Sequence, residues 1–248
     1  MHILTFLSFI ISGSHISAEW NTKDYMKREH SLIKPYQGSG MSIPYWDFMG
    51  STMVTNNYVR LTPDLQSKQG SLWNTQPCHV RNWELQVHFR VHGKGKDLFG
   101  DGFAIWYAKE RMGSGPVFGN ADYFQGLAVI IDTYSNHNGP HNHQHPYISA
   151  MVNNGTLHYD HDRDGTHTQL AGCEAKLRNL PHDTHISIRY EQDTLTVEFQ
   201  NIPSFSGRCE FGYLFFHFCV LPFVLLFRFG KLNFQDVANL SFCQLPYP

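Results

Sequence analysis

The chain has 248 residues, 42% of them hydrophobic and 16% charged, a composition that permits a packed core and excludes global disorder. Its formal charge of −2 gives no electrostatic footprint for nucleic acid, so no nucleic-acid partner is expected. The length suits one large domain or two small ones.

Residues 1–18 read as a signal peptide. "ILTFLSFII" (Ile3 to Ile11) is a short apolar run, and "ISA" (Ile16 to Ala18) offers a small residue for cleavage before Glu19. The run is too short to span a bilayer. Secretory entry permits disulfides, and the five cysteines, Cys78, Cys173, Cys209, Cys219 and Cys243, leave at least one thiol unpaired. "NGT" makes Asn154 a candidate glycosylation site, and "NLS" at Asn239 is a second sequon.

Strand signals dominate the middle of the chain. "WELQVHFRV" (Trp83 to Val91) alternates apolar and polar residues, as a half-buried strand does. "GFAIWYA" and "GLAVIIDTY" are nearly continuous apolar runs, as expected of strands covered on both faces. "YISAMVNNGTLHYDH" places Asn153-Asn154-Gly155 between two alternating runs and predicts a hairpin. "HISIRYEQDTLTVEF" predicts another, turning near Gln192-Asp193. No long stretch shows a 3.6-residue period. The reading is an all-β antiparallel β-sandwich, one domain over 19–200.

Composition shifts over 201–248. Ten of the 19 phenylalanines fall between Phe205 and Phe242, and "FGYLFFHFCVLPFVLLFRF" (Phe211 to Phe229) is apolar almost throughout. It approaches the length of a membrane span, but His217 and Pro222 interrupt it. A weak membrane anchor, an unusual packing segment and an alternative or misjoined coding end all fit; the last is favoured.

Enzyme signatures are missing: there is no HExxH, no GxSxG and no P-loop. "HDRD" (His161 to Asp164) contains an acid–base set without a nucleophile beside it, so catalysis is not expected. Two metal chemistries remain. His137, His141, His143 and His145 crowd one loop and offer imidazole nitrogen to zinc, or form a solvated loop tip. Asp132, Asn136 and Asp164, with the carbonyl of Tyr134, offer oxygen to calcium, or form an Asp/Asn-rich turn without an ion.

"REHSLIKPYQG", "RLTPDLQSKQGSLWN", "GDGFAIWYAKERM", "GPVFGN", "DTYSN", "PYISAMVNNGTLHYDHDRDG" and "AGCEA" together resemble the L-type (legume-like) mannose-binding cargo lectins of the early secretory pathway, in the vesicular integral-membrane protein branch. The resemblance runs from about Lys27 to Phe199. It implies a concanavalin-like jelly roll forming a carbohydrate-recognition domain that binds high-mannose N-glycans with Ca2+ and moves or retains glycoproteins between endoplasmic reticulum and Golgi. Carried over by motif, Asp132, Tyr134 (by its carbonyl), Asn136 and Asp164 resemble the calcium ligands, and Ser67, Asp101, Asn136 and His161 resemble the sugar contacts. Asn136 is then expected to turn its oxygen to calcium and its NH₂ to the sugar. Ile130 stands where plant relatives place a metal-binding glutamate, so no second ion is expected there, and the histidine loop receives no transferred role. A Cys173–Cys209 disulfide is also implied, with Cys78 left as a buried thiol.

The resemblance implies further parts that are not found after Gln200: a glycine-aspartate-leucine loop touching mannose, a closing strand, a stalk, a transmembrane helix and a sorting tail. The sandwich is therefore expected to be incomplete at its C-terminal end. Three functional readings follow: a calcium-dependent lectin of the secretory lumen, a truncated lectin that binds sugar weakly or not at all, and a zinc-binding enzyme using the histidine loop. The first is preferred.

Overall fold

The computed structural model describes residues 25–34, 36, 42–96, 99–111, 113–136, 143–201, 205–213, 221–222 and 234–244, with side chains described as far as Phe199. The expected signal peptide, and His137 and His141, lie outside the described residues.

The described elements are strands and two 3₁₀ turns, at Arg28–His30 and His161–Arg163. In chain order the strands begin with β1 (Trp46–Gly50), β2 (Met53–Val54), β3 (Val59–Thr62), β4 (Gly70–Asn74), β5 (Pro77–Cys78) and β6 (Trp83–His92). There follow β7 (Gly102–Ala108), β8 (Ser114–Val117), β9 (Gln125–Asp132), β10 (Tyr147–Asn154) and β11 (Ala171–Glu174). The last are β12 (Thr184–Glu191), β13 (Thr194–Asn201), β14 (Phe205–Tyr213), β15 (Leu221–Pro222) and β16 (Phe234–Gln244).

A seven-stranded sheet runs β14-β13-β12-β6-β16-β3-β2, and a four-stranded sheet runs β11-β10-β9-β7. All pairings between these strands are antiparallel. The main core lies between the two sheets. It joins Leu85, Val87 and Phe89 of β6, and Ile186 and Ile188 of β12, to Phe103 and Ile105 of β7, and Val129 and Ile131 of β9.

The alternate residues of β7 and β9 point the other way. Ala104, Trp106, Ala128 and Ile130 enter a second buried cluster with Trp73, Phe124, Met151 and Tyr159. Two-sided burial is the physical reason these strands read as continuous apolar runs, because side chains alternate between faces and here both faces are dry.

The expected β12–β13 hairpin is present, with Glu191 opposite Thr194 and positive φ at Gln192 and Asp193. The other expected hairpin is not. β10 ends at Asn154, and no strand returns over residues 156–160. Asn153 explains the difference: its Oδ1 accepts from the N–H groups of Gly155, Thr156 and Leu157, and its Nδ2 donates to the Leu157 carbonyl. The side chain captures the backbone groups that a returning strand would have used.

The expected gap at the C-terminal end is corrected as well. β14 pairs with β13, and β16 lies between β6 and β3, matched to β6 from Phe234↔His92 to Gln244↔Trp83. The tail supplies a central strand to the larger sheet, so the backbone groups of β6 and β3 that would otherwise face an open slot are paired. Most of the 211–229 stretch lies outside the described residues. Among the described residues, no helix is long and apolar enough to cross a membrane.

Candidate cation and sugar site

The candidate residues gather where β7 and β9 meet the 3₁₀ turn at His161–Arg163. β7 and β9 are paired with Gly102 opposite Asp132, so Asp101 enters one strand beside the point where Asp132 leaves the other. The N–H of Thr133 donates to the Asp101 carbonyl at 3.0 Å and fixes that junction.

The glycines around Asp101 permit this approach. A Cβ on Gly100 would stand 2.6 Å from the Tyr134 Cβ. A Cβ on Gly102, whose φ is +141, would stand 2.2 Å from the Ile131 carbonyl oxygen. Neither position accommodates a side chain without movement of its neighbour.

Asp132 is 4% exposed, and its Oδ1 accepts from the N–H of Tyr134 at 3.0 Å. Asp164 is also buried and adopts the left-handed conformation, with φ 50, at the end of the 3₁₀ turn. Its Oδ1 accepts from the backbone N–H of Asn136 at 3.1 Å and from the Asn136 side-chain NH₂ at 3.0 Å. The expected amide orientation, with NH₂ turned to a sugar, is therefore not the one seen. The 132–136 segment is folded around its own carboxylate, Asp132, and tied to Asp164.

Burial raises the Asp132 carboxyl well above the usual carboxylate range; the Tyr134 N–H opposes this, and the charges of Asp164 and Asp101 add to it. Tyr159 is fully enclosed nearby. Burial pushes its phenol well above its ordinary value, and Asp132, Asp164, Asp160 and Asp101 push in the same direction. Tyr159 Oη and Ser135 Oγ are buried without a hydrogen-bond partner among the described residues. Crowded carboxylates in low dielectric need a countercharge, and oxygen donors at this density suit a hard divalent cation. The residues present therefore fit calcium: Asp132, Asn136, Asp164 and the Tyr134 carbonyl are the atoms that would hold it.

His161 stands on the same 3₁₀ turn, with its carbonyl accepting from the Asp164 N–H. Its Nε2 lies 2.7 Å from the Pro116 carbonyl, and its ring packs against Phe118 and Tyr159. Ser67 is set apart. It is exposed, with φ 60, in the turn between β3 and β4, and among the described residues no hydrogen bond joins it to Asp101, Asn136 or His161. The structure thus brings together Asp101, Asp132, Tyr134, Asn136, His161 and Asp164.

Sequence reasoning missed two neighbours. Tyr159 closes the site from below, and a Cβ on Gly165 would stand 2.2 Å from its ring. Its position in "LHYDH", one residue before the acidic turn, was the available signal. His145 was set aside with its loop, yet its Nε2 lies 3.8 Å from Asp132 Oδ2 and 3.7 Å from Asp164 Oδ2.

Of the other candidates, Asn154 is exposed at the end of β10, where its Oδ1 accepts from Thr156 Oγ1. Cys78 is a buried free thiol, pushed up to about 11 by burial. Cys173 is disulfide-bonded. Cys209 is on β14, a strand that contacts the β11 strand carrying Cys173, and its side chain lies outside those described.

Residues 23–213 match the profile of the legume-like lectin family. The chain belongs to that family. Legume-like lectins are sugar-binding proteins and not enzymes, which removes the zinc-enzyme reading. Among its relatives, the mouse VIP36-like protein is 56% identical over 200 residues, covering 79% of this chain and 57% of that protein. Human vesicular integral-membrane protein VIP36 is 50% identical over 221 residues, covering 85% of this chain and 62% of that protein. The chain thus spans little more than half the length of the curated relatives it matches. The crystal structure of the VIP36 exoplasmic/lumenal domain in its Ca2+/Man-bound form superposes with a TM-score of 0.79 at 44% identity, covering 90% of this chain and 93% of that one. The all-β legume-lectin sandwich is the fold of this chain.

Proposed function

We propose that the protein binds high-mannose N-glycans in a calcium-dependent manner and acts on glycoprotein cargo in the lumen between endoplasmic reticulum and Golgi. The observation that carries this reading is the gathering of two buried carboxylates around one short segment, Asp132 bonded to the Tyr134 N–H and Asp164 to Asn136, with Asp101 and His161 anchored directly beside them. Support also comes from the related VIP36 lumenal domain, whose structures include Ca2+-bound, Ca2+/Man-bound and Ca2+/Man3GlcNAc-bound forms.

The roles follow from the donor inventory. Asp132, Asp164, Asn136 and the Tyr134 carbonyl would hold the ion, whose positive charge would offset the buried carboxylates. Asp101 offers carboxylate oxygens, acceptors that suit sugar hydroxyls. Through the Thr133–Asp101 bond, the segment that holds the ion also sets the position of Asp101. Calcium dependence then arises without an ion–sugar bond. His161 offers a ring nitrogen and Ser67 a hydroxyl from the exposed β3–β4 turn.

The test is binding of the secreted chain to immobilised high-mannose glycans, in calcium and in EGTA, beside Asp132→Asn. Binding that needs both calcium and Asp132 is the expected result. A second reading, a lectin that binds sugar weakly or not at all, is favoured by the absence of a glycine-aspartate-leucine sequence after Gln200. A folded chain that binds calcium and no glycan would establish it.

A further inference from the structure

His143 and His145 immediately precede β10, in a loop that the family reading leaves without a role. They do not point into solvent. The His145 side chain is 7% exposed, and its Nε2 faces the Oδ2 atoms of Asp164 and Asp132 at 3.7 and 3.8 Å. Those separations are too long for hydrogen bonds. They are close to the span of about 3.3–3.5 Å that separates two donors of one tetrahedral ion with bonds of about 2.0–2.2 Å.

His143 completes the group. One ligand atom each from His143, His145 and Asp164 lies within 4.8 Å of the others. The two imidazoles stand with ring centroids 4.8 Å apart, and the His143 ring is stacked on Tyr147 at 3.6 Å and 12°. Tyr147 is the first residue of β10 and pairs with Asp132, so the stack holds His143 to the strand that borders the carboxylates.

The Asp164 carboxylate is divided between two sets of neighbours. Oδ1 takes the two N–H groups of Asn136, and Oδ2 faces His145. Asp132 is divided the same way, with Oδ1 on the Tyr134 N–H and Oδ2 toward His145. The side facing the histidines has a mixed nitrogen and oxygen donor set. Two imidazoles with one or two carboxylate oxygens suit zinc and its neighbours among the transition metals, and calcium has little affinity for nitrogen.

We infer that His143, His145 and Asp164 form a three-donor binding site for a transition-metal ion of the zinc class, with Asp132 Oδ2 bordering it on the His145 side. It is a site distinct from the oxygen set of the 132–136 segment, although both use the Asp164 carboxylate. It uses histidines from the loop and needs no acid at the position of Ile130. The inference rests on donor geometry and stands apart from the proposed glycan binding.

The experiment is calorimetric titration of the calcium-free protein with zinc chloride, beside a His143→Gln/His145→Gln double variant whose melting temperature is checked first. One zinc per chain, bound at least tenfold more tightly than by the variant, is expected. Equal zinc affinity in the two proteins would overturn the inference and place any bound zinc elsewhere among the sixteen histidines. Cobalt(II) on the unmodified protein gives a second reading that does not depend on the variant folding. Intense visible bands of a four-coordinate site support the assignment, and a weak six-coordinate spectrum counts against it. Neither readout involves sugar or calcium, so failure of the lectin reading and failure of this one are separately visible.

Discussion

Thr133 donates its backbone N–H to the carbonyl oxygen of Asp101 at 3.0 Å, and this one bond couples the segment that carries the candidate cation ligands to the strand entry that carries a candidate sugar contact. The coupling works only while the two segments stay in close contact. Replacing Gly100 with alanine puts a methyl group 2.6 Å from the Tyr134 Cβ and forces them apart. Gly100→Ala is expected to cost about 1–3 kcal/mol of stability by overpacking, and to lower glycan binding at least tenfold. Urea unfolding and glycan binding on the same preparation check this; unchanged glycan binding would remove the coupling.

Calcium should stabilise the fold. At a free calcium concentration about a hundredfold above its dissociation constant, binding adds about 2.7 kcal/mol. Thermal unfolding with and without EGTA measures it. Asp132→Asn is expected to melt at a temperature that no longer responds to calcium, and a preserved response would place the ion elsewhere.

His30 makes stability depend on pH. It is buried, and its Nδ1 lies 2.9 Å from the Asn74 side-chain oxygen. Burial lowers its pKa from 6.5, against the opposing effects of Asn74 and Glu29. Once unfolded, His30 takes up a proton more readily than when folded. The unfolded state therefore binds more protons from about 6.5 downward, and stability falls as pH drops through that value until the folded pKa is passed. His30→Gln keeps a donor for Asn74 and does not titrate. Its unfolding free energy should fall less steeply than that of the unmodified chain between about pH 7 and 5; equal slopes would exclude His30 as a source.

Glu84 titrates with the opposite sign. Burial raises its carboxyl, but bonds from Gln86, Arg189 and Ser187 outweigh that and hold it below its ordinary value. Its contribution is present above the unfolded pKa and disappears as pH falls through the folded one. Glu84→Ala leaves four donor atoms, on Gln86, Ser187 and Arg189, without this acceptor and is expected to cost about 1–3 kcal/mol at neutral pH and less in acid. An equal cost at both pH values would sink the assignment.

The Cys173 disulfide is expected to pair with Cys209. Peptide mapping without reduction should recover the two joined, and its loss should cost about 2–4 kcal/mol. A fragment joining Cys173 to Cys219 or Cys243 would refute the pairing.

Some of this architecture was legible because local chemistry and tertiary context agree. β7 and β9 read correctly from unbroken apolar runs because both their faces are covered, and the β12–β13 turn read correctly because Gln192-Asp193 tolerates positive φ between two alternating runs. Asn153 shows where such reading fails. Asn-Asn-Gly signals a turn, but whether a strand returns from it depends on which backbone groups the Asn153 side chain captures. The tail failed for another reason. Phe234–Gln244 (FQDVANLSFCQ) follows a long apolar run, and its partners β6 and β3 lie far back in the chain, so its pairing is set by long-range context that no local pattern carries. In the site, Asp132, Asn136 and Asp164 were legible as oxygen donors, whereas the approach of His145 depends on the course of a loop and on no local pattern.

The position of β16 also governs when the molecule can be finished. During synthesis β6 and β3 leave the ribosome early, while the strand that must lie between them emerges only after β12, β13 and β14 have been made. Until then the larger sheet is two pieces, each with a bare edge open to other chains. A chain stalled before residue 234 would hold most of the candidate sugar site and still present those two edges, making it a client for chaperones rather than a working lectin.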